Sequence, residues 1–280
     1  MFAIGSRRRA GPVEVIGLCR FSWPGLGGFK RAPEALEART AALYDPARLE
    51  HRFRLFEAFT LPSLRAQGDG DFRIGIVIGP EFPQRPRLEA LLRDLPQAVI
   101  LERAPGPHRE VMREAINSLR GRPDRASAQF RLDDDDAVGR DFVSRLRAAA
   151  SGHAALAESR GFFAVDFPAG WHATAGPDGI RAAETVVPHL GVAFAIVFAA
   201  GLRKGVFDFA HNRVPRFMAC ASFPDPDMYV RGLHGSNDSG PGGGLRPMQL
   251  APLDAAGEAR FRQAFGIEAD RVRALFAAPA

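Results

Sequence analysis

Lysine is almost missing from this chain. It stands only at Lys30 and Lys204, so nearly all of the 37 basic residues are arginine. Arginine, alanine, glycine and proline all use GC-rich codons, and gene composition accounts for part of that bias. The net charge of +5 and pI near 10.0 still favour anionic partners: nucleotides, phosphates, acidic glycans or a membrane surface. Beyond Arg7-Arg8-Arg9 no dense basic run carries interleaved aromatics, which argues against nucleic acid as a partner.

Cysteine is equally scarce. Cys19 and Cys220 form neither a CxxC pair nor a disulfide framework, which fits a reducing compartment. Ser6 to Arg9 is not followed by a sustained apolar region, so no signal peptide is expected. Long hydrophobic runs are missing too. The longest, Leu190 to Leu202, is too short for a helical membrane span and reads as a buried core element. The expected location is cytoplasmic, with peripheral contact at the inner membrane face. No Gly-x-Ser-x-Gly elbow, P-loop, GxGxxG unit or His-Glu-x-x-His occurs, which lowers the serine-hydrolase, kinase, dehydrogenase and zincin readings.

What is present is an ordinary globular composition, 46% hydrophobic and 25% charged over 280 residues. That is enough for one domain whose core needs no staples. Apolar, β-rich runs at 13–19, 72–78, 98–101 and 126–132 read as strands. Helical spacing separates them, with helices expected near 45–60, 87–94 and 107–120. Asp45 and Pro46 open the first of these, and Pro62 predicts a break and restart. Strands alternating with helices predict an α/β fold with a mostly parallel, Rossmann-like sheet flanked by helices. The second half is less regular, with strands expected at 161–167, 180–187 and 192–198 and closing helices at 256–265 and 269–276. The chain is expected to be one domain with two halves, 1–137 and 138–280.

The fourth strand runs straight into Asp133-Asp134-Asp135-Asp136. Adjacent carboxylates repel one another and call for a cation. An oxygen-only set suits Mg²⁺ or Mn²⁺. At the C-terminal end of a strand in an open α/β sheet, such a tract lies where these folds bind ligands. Asp133-x-Asp135 has the D-x-D spacing of many nucleotide-sugar glycosyltransferases. In an extended chain residues i and i+2 share a side, which makes Asp133 and Asp135 the working pair, Asp136 their support, and turns Asp134 away. On the preceding helix Arg109, Arg113 and Asn117 are spaced i, i+4, i+8 and predict one face lining the approach to the tract. Further on, Asp225, Asp227, Arg231 and His234 gather in a turn-rich segment. A carboxylate there is a candidate general base, and His234 a candidate metal ligand. A solvated acidic turn and a locally satisfied loop are the plainer alternatives.

Several separated segments then match one family. Val15 to Ser22, Arg52 to Gln67, Asp71-Phe72-Arg73, Gln129 to Ala137, Asp227 to Arg231 and Asn237-Asp238-Ser239 resemble the bacterial rhamnosyltransferases, of A-type glycosyltransferase fold. The resemblance implies a nucleoside-diphosphate sugar donor, a glycan or other hydroxyl acceptor, and Mn²⁺ or Mg²⁺. On that reading Arg20, Arg109, Arg113, Asn117, Asp133 and Asp134 bind the donor. Asp135, Asp136 and His234 hold the metal, and Asp227 is the base. A non-catalytic module that binds glycan or nucleotide is the second reading.

Overall fold

The structure, a computed structural model, describes residues 13–26, 35–235 and 249–277. The features at Arg7-Arg8-Arg9, Asn237-Asp238-Ser239 and Pro241 to Gly244 lie outside those residues.

The chain opens with β1 (Glu14–Arg20), buried through Cys19. Two helices follow, α1 (Leu36–Leu43) and α2 (Pro46–Leu55). Asp45 caps α2 by accepting from the Arg48 N–H at 2.8 Å, and Pro46 occupies the first turn, as the spacing predicts. The break expected at Pro62 does not form. A single π turn at Phe56–Thr60 carries the helix into α3 (Leu61–Arg65), with Leu61 N–H reaching back to the Phe56 carbonyl. Pro62 follows directly on the π turn, where the hydrogen-bond register is already shifted and a missing N–H is accommodated.

β2 (Phe72–Ile78), α4 (Arg85–Leu92), β3 (Ala98–Glu102), α5 (His108–Ser118) and β4 (Ser127–Asp133) complete the regular half. After the acidic turn come β5 (Ala137–Val138), α6 (Phe142–Gly152), α7 (Ala154–Arg160), β6 (Phe162–Asp166), β7 (Ala169–Gly176), β8 (Gly179–Val186) and β9 (Phe194–Phe198). β10 (Cys220–Ser222), β11 (Tyr229–Gly232), β12 (Ala251–Pro252), α8 (Ala255–Phe265) and α9 (Ala269–Ala277) end the described chain.

Two sheets result. The larger has the order β10-β6-β9-β4-β1-β2-β3, with β1 to β4 mutually parallel and β9 antiparallel to both its neighbours. This is the mixed, mostly parallel α/β architecture that the alternation predicts. The smaller sheet has the order β12-β8-β7-β11-β5. The first sheet is covered on both faces. Phe130, Phe142, Phe53 and Phe56 belong to one core cluster, while Ile16, Leu18, Met112 and Ile116 lie in the cluster beneath α5. Each such side chain removed from water contributes roughly 1.5–3 kcal/mol before entropy is counted. Among the described residues no helix is long and apolar enough to cross a membrane.

Two pairings place the site. β1 and β4 are neighbours in register, with Arg20 opposite Asp133 at their C-terminal ends. β11 runs antiparallel to β5, with Val230 opposite Ala137, and so draws Gly232 against the acidic turn. A methyl group at Gly232 would run into the Asp135 carbonyl, so the close approach requires glycine.

Candidate active site at the acidic turn

β4 ends at Asp133, and the chain turns at once: the Asp136 N–H donates to the Asp133 carbonyl at 3.1 Å. That turn decides where the four carboxylates go. The alternation rule holds only for extended chain, and it fails here. Asp134, expected to face away, is buried and ion-paired to Arg52 of α2. Arg52 Nε also donates to Asp134 Oδ2 at 3.1 Å, and its Nη1 donates to Asp135 Oδ2 at 3.2 Å. The cation that the tract calls for is therefore a guanidinium, itself only 8% exposed. Sequence reasoning named Arg52 as the start of a matching segment and gave it no role at the site.

His234 Nε2 lies 2.5 Å from Asp135 Oδ2 and 2.8 Å from Arg52 Nη1. One nitrogen cannot donate to the carboxylate and accept from the guanidinium at once. The shorter contact is to a charged acceptor, which places the proton on Nε2, donated to Asp135. Burial acts to raise the Asp135 carboxyl, but Arg52 and His234 outweigh it and hold the group well below the usual carboxylate range.

Asp136 goes the other way. Burial, reinforced by the charges of Asp135 and Asp133, pushes its pKa well above the ordinary value. Its Oδ1 accepts from the Gly232 N–H at 3.0 Å, and its backbone carbonyl accepts from Thr60 Oγ1 at 2.8 Å. Asp136 thus braces the turn against β11 and the π turn. A raised folded pKa contributes stability that is full below the unfolded pKa and is lost as pH rises through the folded value. Asp136→Asn is therefore expected to match the parent to within about 1 kcal/mol at acid pH, where both side chains are neutral, and to flatten the decline in stability as pH rises, so that the variant is the more stable protein at pH 7. Urea denaturation across pH reads both; an unchanged alkaline decline would refute the assignment.

Asp133 is the outward carboxylate, its side chain 51% exposed. Burial would raise its pKa, but with half the side chain in water the guanidinium groups of Arg20 and Arg131 prevail and lower it. Arg20 Nη2 donates to Asp133 Oδ1 at 3.2 Å, and Arg20 Nη1 donates to His108 Nε2 at 3.2 Å. Burial, followed by the charge of Arg20, lowers the His108 pKa to about 4, which keeps Nε2 free to accept.

The expected α5 face is only partly at the site. α5 starts at the C-terminal edge of the sheet and runs away from it. Arg109 is exposed in the first turn, beside His108. Arg113 lies roughly 6 Å farther along the axis and Asn117 roughly 12 Å. Arg113 pairs with Asp208 at 3.1 Å, and Asn117 Nδ2 donates to the Arg113, Arg203 and Lys204 carbonyls. These two residues pin the 203–208 segment and do not line the acidic turn.

Asp227 is not at the turn either. It precedes β11 in a left-handed backbone conformation, φ +57°, with its carbonyl against Gly139, whereas Gly232 at the far end of β11 meets Asp135. Trp171 Nε1 donates to its Oδ1 at 2.7 Å, and Arg260 Nε donates to its Oδ2 at 2.9 Å. Both oxygens are engaged in a separate cleft of about 200 Å³ that Trp171, Glu184 and Arg260 also line. The Asp227 carboxylate is not placed to take a proton at the acidic turn. The sequence also passed over Asp166, at the C-terminal end of β6. It is 1% exposed, and its Oδ1 has no partner among the described residues.

The expected Mn²⁺ or Mg²⁺ set of Asp135, Asp136 and His234 does not fit as these side chains stand. Asp134 and Asp135 are closed by Arg52 and His234. Asp136 is buried, its pKa raised by burial and by its acidic neighbours, and its Oδ1 is bonded to backbone. Asp133 alone is open, whereas a hard divalent ion seeks several oxygen ligands. Among the described residues no group of three His, Cys, Asp or Glu is placed to hold a metal.

The family model described as "Putative rhamnosyl transferase" matches residues 14–245. The chain belongs to that family. Every residue from Arg20 to His234 that builds the acidic turn lies inside the matched span. A comparison with curated proteins finds no match. Among solved structures, residues 1–349 of S. aureus TarS in complex with UDP align with TM-score 0.44 and 8% identity. That alignment covers 79% of this chain and 61% of the other. The same TarS fragment with UDP-GlcNAc aligns at 0.43 and 9% identity, covering 81% and 60%. A 4-diphosphocytidyl-2C-methyl-D-erythritol synthase from Anaerococcus prevotii aligns at 0.34 and 12% identity, covering 81% and 89%. The chain thus spans under two thirds of the TarS fragment. Likenesses of this size leave the site to be read from the chain's own residues.

Proposed function

We propose that this chain is a glycosyltransferase that takes a sugar, rhamnose by its family's description, from a nucleoside-diphosphate donor. The acceptor is a hydroxyl of a glycan or similar molecule. One observation carries the reading. At the C-terminal ends of two adjacent parallel strands, the half-exposed Asp133–Arg20 pair stands over a set of carboxylates held rigid by Arg52. Open α/β sheets bind ligands at that edge.

The chemistry follows from the charges. Asp133 offers a carboxylate to donor hydroxyls. Arg20, with Arg109 exposed nearby, offers guanidinium groups to phosphates. Asp134, Asp135 and Asp136 are buried and serve by fixing the turn, so that Asp133 projects in one geometry.

The test is incubation with a panel of nucleotide sugars, nucleoside-diphosphate-rhamnose among them, with and without Mn²⁺, reading released nucleoside diphosphate. The expected result is release from one donor, accelerated by a glycan acceptor. Release from none of them in either buffer would refute the reading in favour of a non-catalytic module.

A further inference from the structure

Beside the acidic turn, within reach of the charge of Arg20, lies a second group of cations. Arg131 is on β4, two residues before Asp133 and on the same face of the sheet. Arg231 is on β11, next to Val230, whose partner across the ladder is Ala137, so it stands over Asp136. On its other side Arg231 is in register with His172 of β7. His211 completes the group, since its ring lies with the Arg131 guanidinium against Gly191.

Three observations set this group apart. Neither Arg131 nor Arg231 has an ion pair or hydrogen bond among the described residues, although both are largely withdrawn from solvent. Nearly every other inward arginine at the site has a carboxylate or carbonyl, Arg52 and Arg20 included. Second, His172 is only 8% exposed and its Nε2 is buried with no partner. Third, Gly191 has φ +104°, and a Cβ there would come within 2.7 Å of Arg131 Nη2. The loop is shaped to leave the guanidinium room. Arg231 is among the charges that bear on Arg131, and both bear on His211. Two guanidinium groups that act on one another repel, and withdrawing them from water without an ion pair is costly. A fold keeps such an arrangement where a polyanion enters between them.

Resting on the donor reading above, we propose that Arg131 and Arg231 grip the diphosphate of the nucleotide-sugar donor and neutralise it as it departs, with His172 as a further ring at its edge. The acidic turn closed by Arg52 then orients this subsite, and the leaving group is held by guanidinium rather than by a metal that Asp135, Asp136 and His234 would share. In the transfer step the anomeric C–O bond to the diphosphate breaks and the acceptor oxygen bonds to that carbon. The electron pair of the broken bond stays on the diphosphate, between the two arginines. The acceptor proton passes to a base or to solvent.

Calorimetric titration of the intact chain with uridine, guanosine and thymidine mono- and diphosphates, in EDTA and in Mn²⁺, tests this. One diphosphate is expected to bind in EDTA, at least tenfold tighter than its monophosphate. Arg131→Gln and Arg231→Gln are each expected to weaken the diphosphate by about tenfold or more and to abolish the preference for it, since a charge-assisted hydrogen bond is worth roughly 1.5–3 kcal/mol. Both variants are expected to melt no lower than the parent, because each removes an unpaired charge. Should either fail to fold, Arg131→Lys and Arg231→Lys keep the charge and are expected to retain part of the preference. Diphosphate binding only with Mn²⁺, or glutamine variants that keep the parental preference, would overturn the proposal while leaving the donor reading intact. Binding of no nucleotide in either buffer would overturn both.

Discussion

Replacing Arg52 with methionine is expected to cost about 3–5 kcal/mol of stability at pH 7, because it strands two buried acids without their cation. Asp134 and Asp135 are 4% and 5% exposed, and Arg52 is hydrogen-bonded to both. Methionine fills much of the same space, so the loss is electrostatic rather than a cavity. The pH dependence identifies it. In the parent chain the Asp135 pKa is lowered. It therefore contributes stability that is present above the unfolded carboxylate pKa and lost as pH falls through the folded value. In Arg52→Met burial dominates and the sign reverses, so the deficit is largest at pH 7 and shrinks as pH falls towards about 5. Urea denaturation of both proteins at pH 7 and pH 5 checks this. A deficit under about 1 kcal/mol, or one that does not change with pH, would mean that Arg52 is not the counter-cation.

The second large effect is on turnover. Asp135→Asn is expected to lower sugar transfer by about a hundredfold or more while the fold survives. Asparagine keeps the volume, and Arg52 still pairs with Asp134, so the stability cost is about 1–2 kcal/mol. What goes is the charge that holds His234 at 2.5 Å and draws Arg52 across the turn. The turn then loosens, and a shift of about 1 Å in the groups that hold a substrate is enough for a hundredfold loss. Because Asp135 positions rather than touches the donor, the loss falls mainly in kcat. Steady-state kinetics and circular dichroism on the same preparation separate this from unfolding. Turnover at the parental rate in a folded variant would remove the acidic turn from the mechanism.

The parallel half of the fold was legible because buried parallel strands read as continuous apolar runs. Phe72–Ile78 is mostly of that kind, and β4 showed itself by alternation, with Ala128, Phe130 and Leu132 between polar residues. β7 was not, since Ala169–Gly176 reads AGWHATAG, with little β-branched or apolar signal. Its strand conformation comes from pairing with β8 and β11. At the site, the acidic tract and its demand for a cation were legible. The identity of the cation was not, because Arg52 lies 82 residues from Asp134 and topology alone joins them. The one cue was an arginine on a helix whose neighbours Leu49 and Phe53 face the core. Arg113 and Asn117 failed for another reason. Their spacing correctly marks one face of α5, but a face also has a direction, and this one recedes from the turn. Asp227 failed because it sits in a turn ahead of β11, where Trp171 and Arg260 hold its carboxylate, while the strand carries Arg231 and His234 on towards the acidic turn.

The account turns on where a nucleoside diphosphate sits, and a crystal structure of the chain with one bound measures that directly. The diphosphate is predicted at the mouth of the acidic turn, within hydrogen-bond distance of Arg131 and Arg231, with Asp133 facing the rest of the ligand and Arg52 still closed on Asp134. A diphosphate bound elsewhere, in the Trp171–Asp227–Arg260 cleft for instance, or one seated on a metal ion that has displaced Arg52 from the carboxylates, would contradict it.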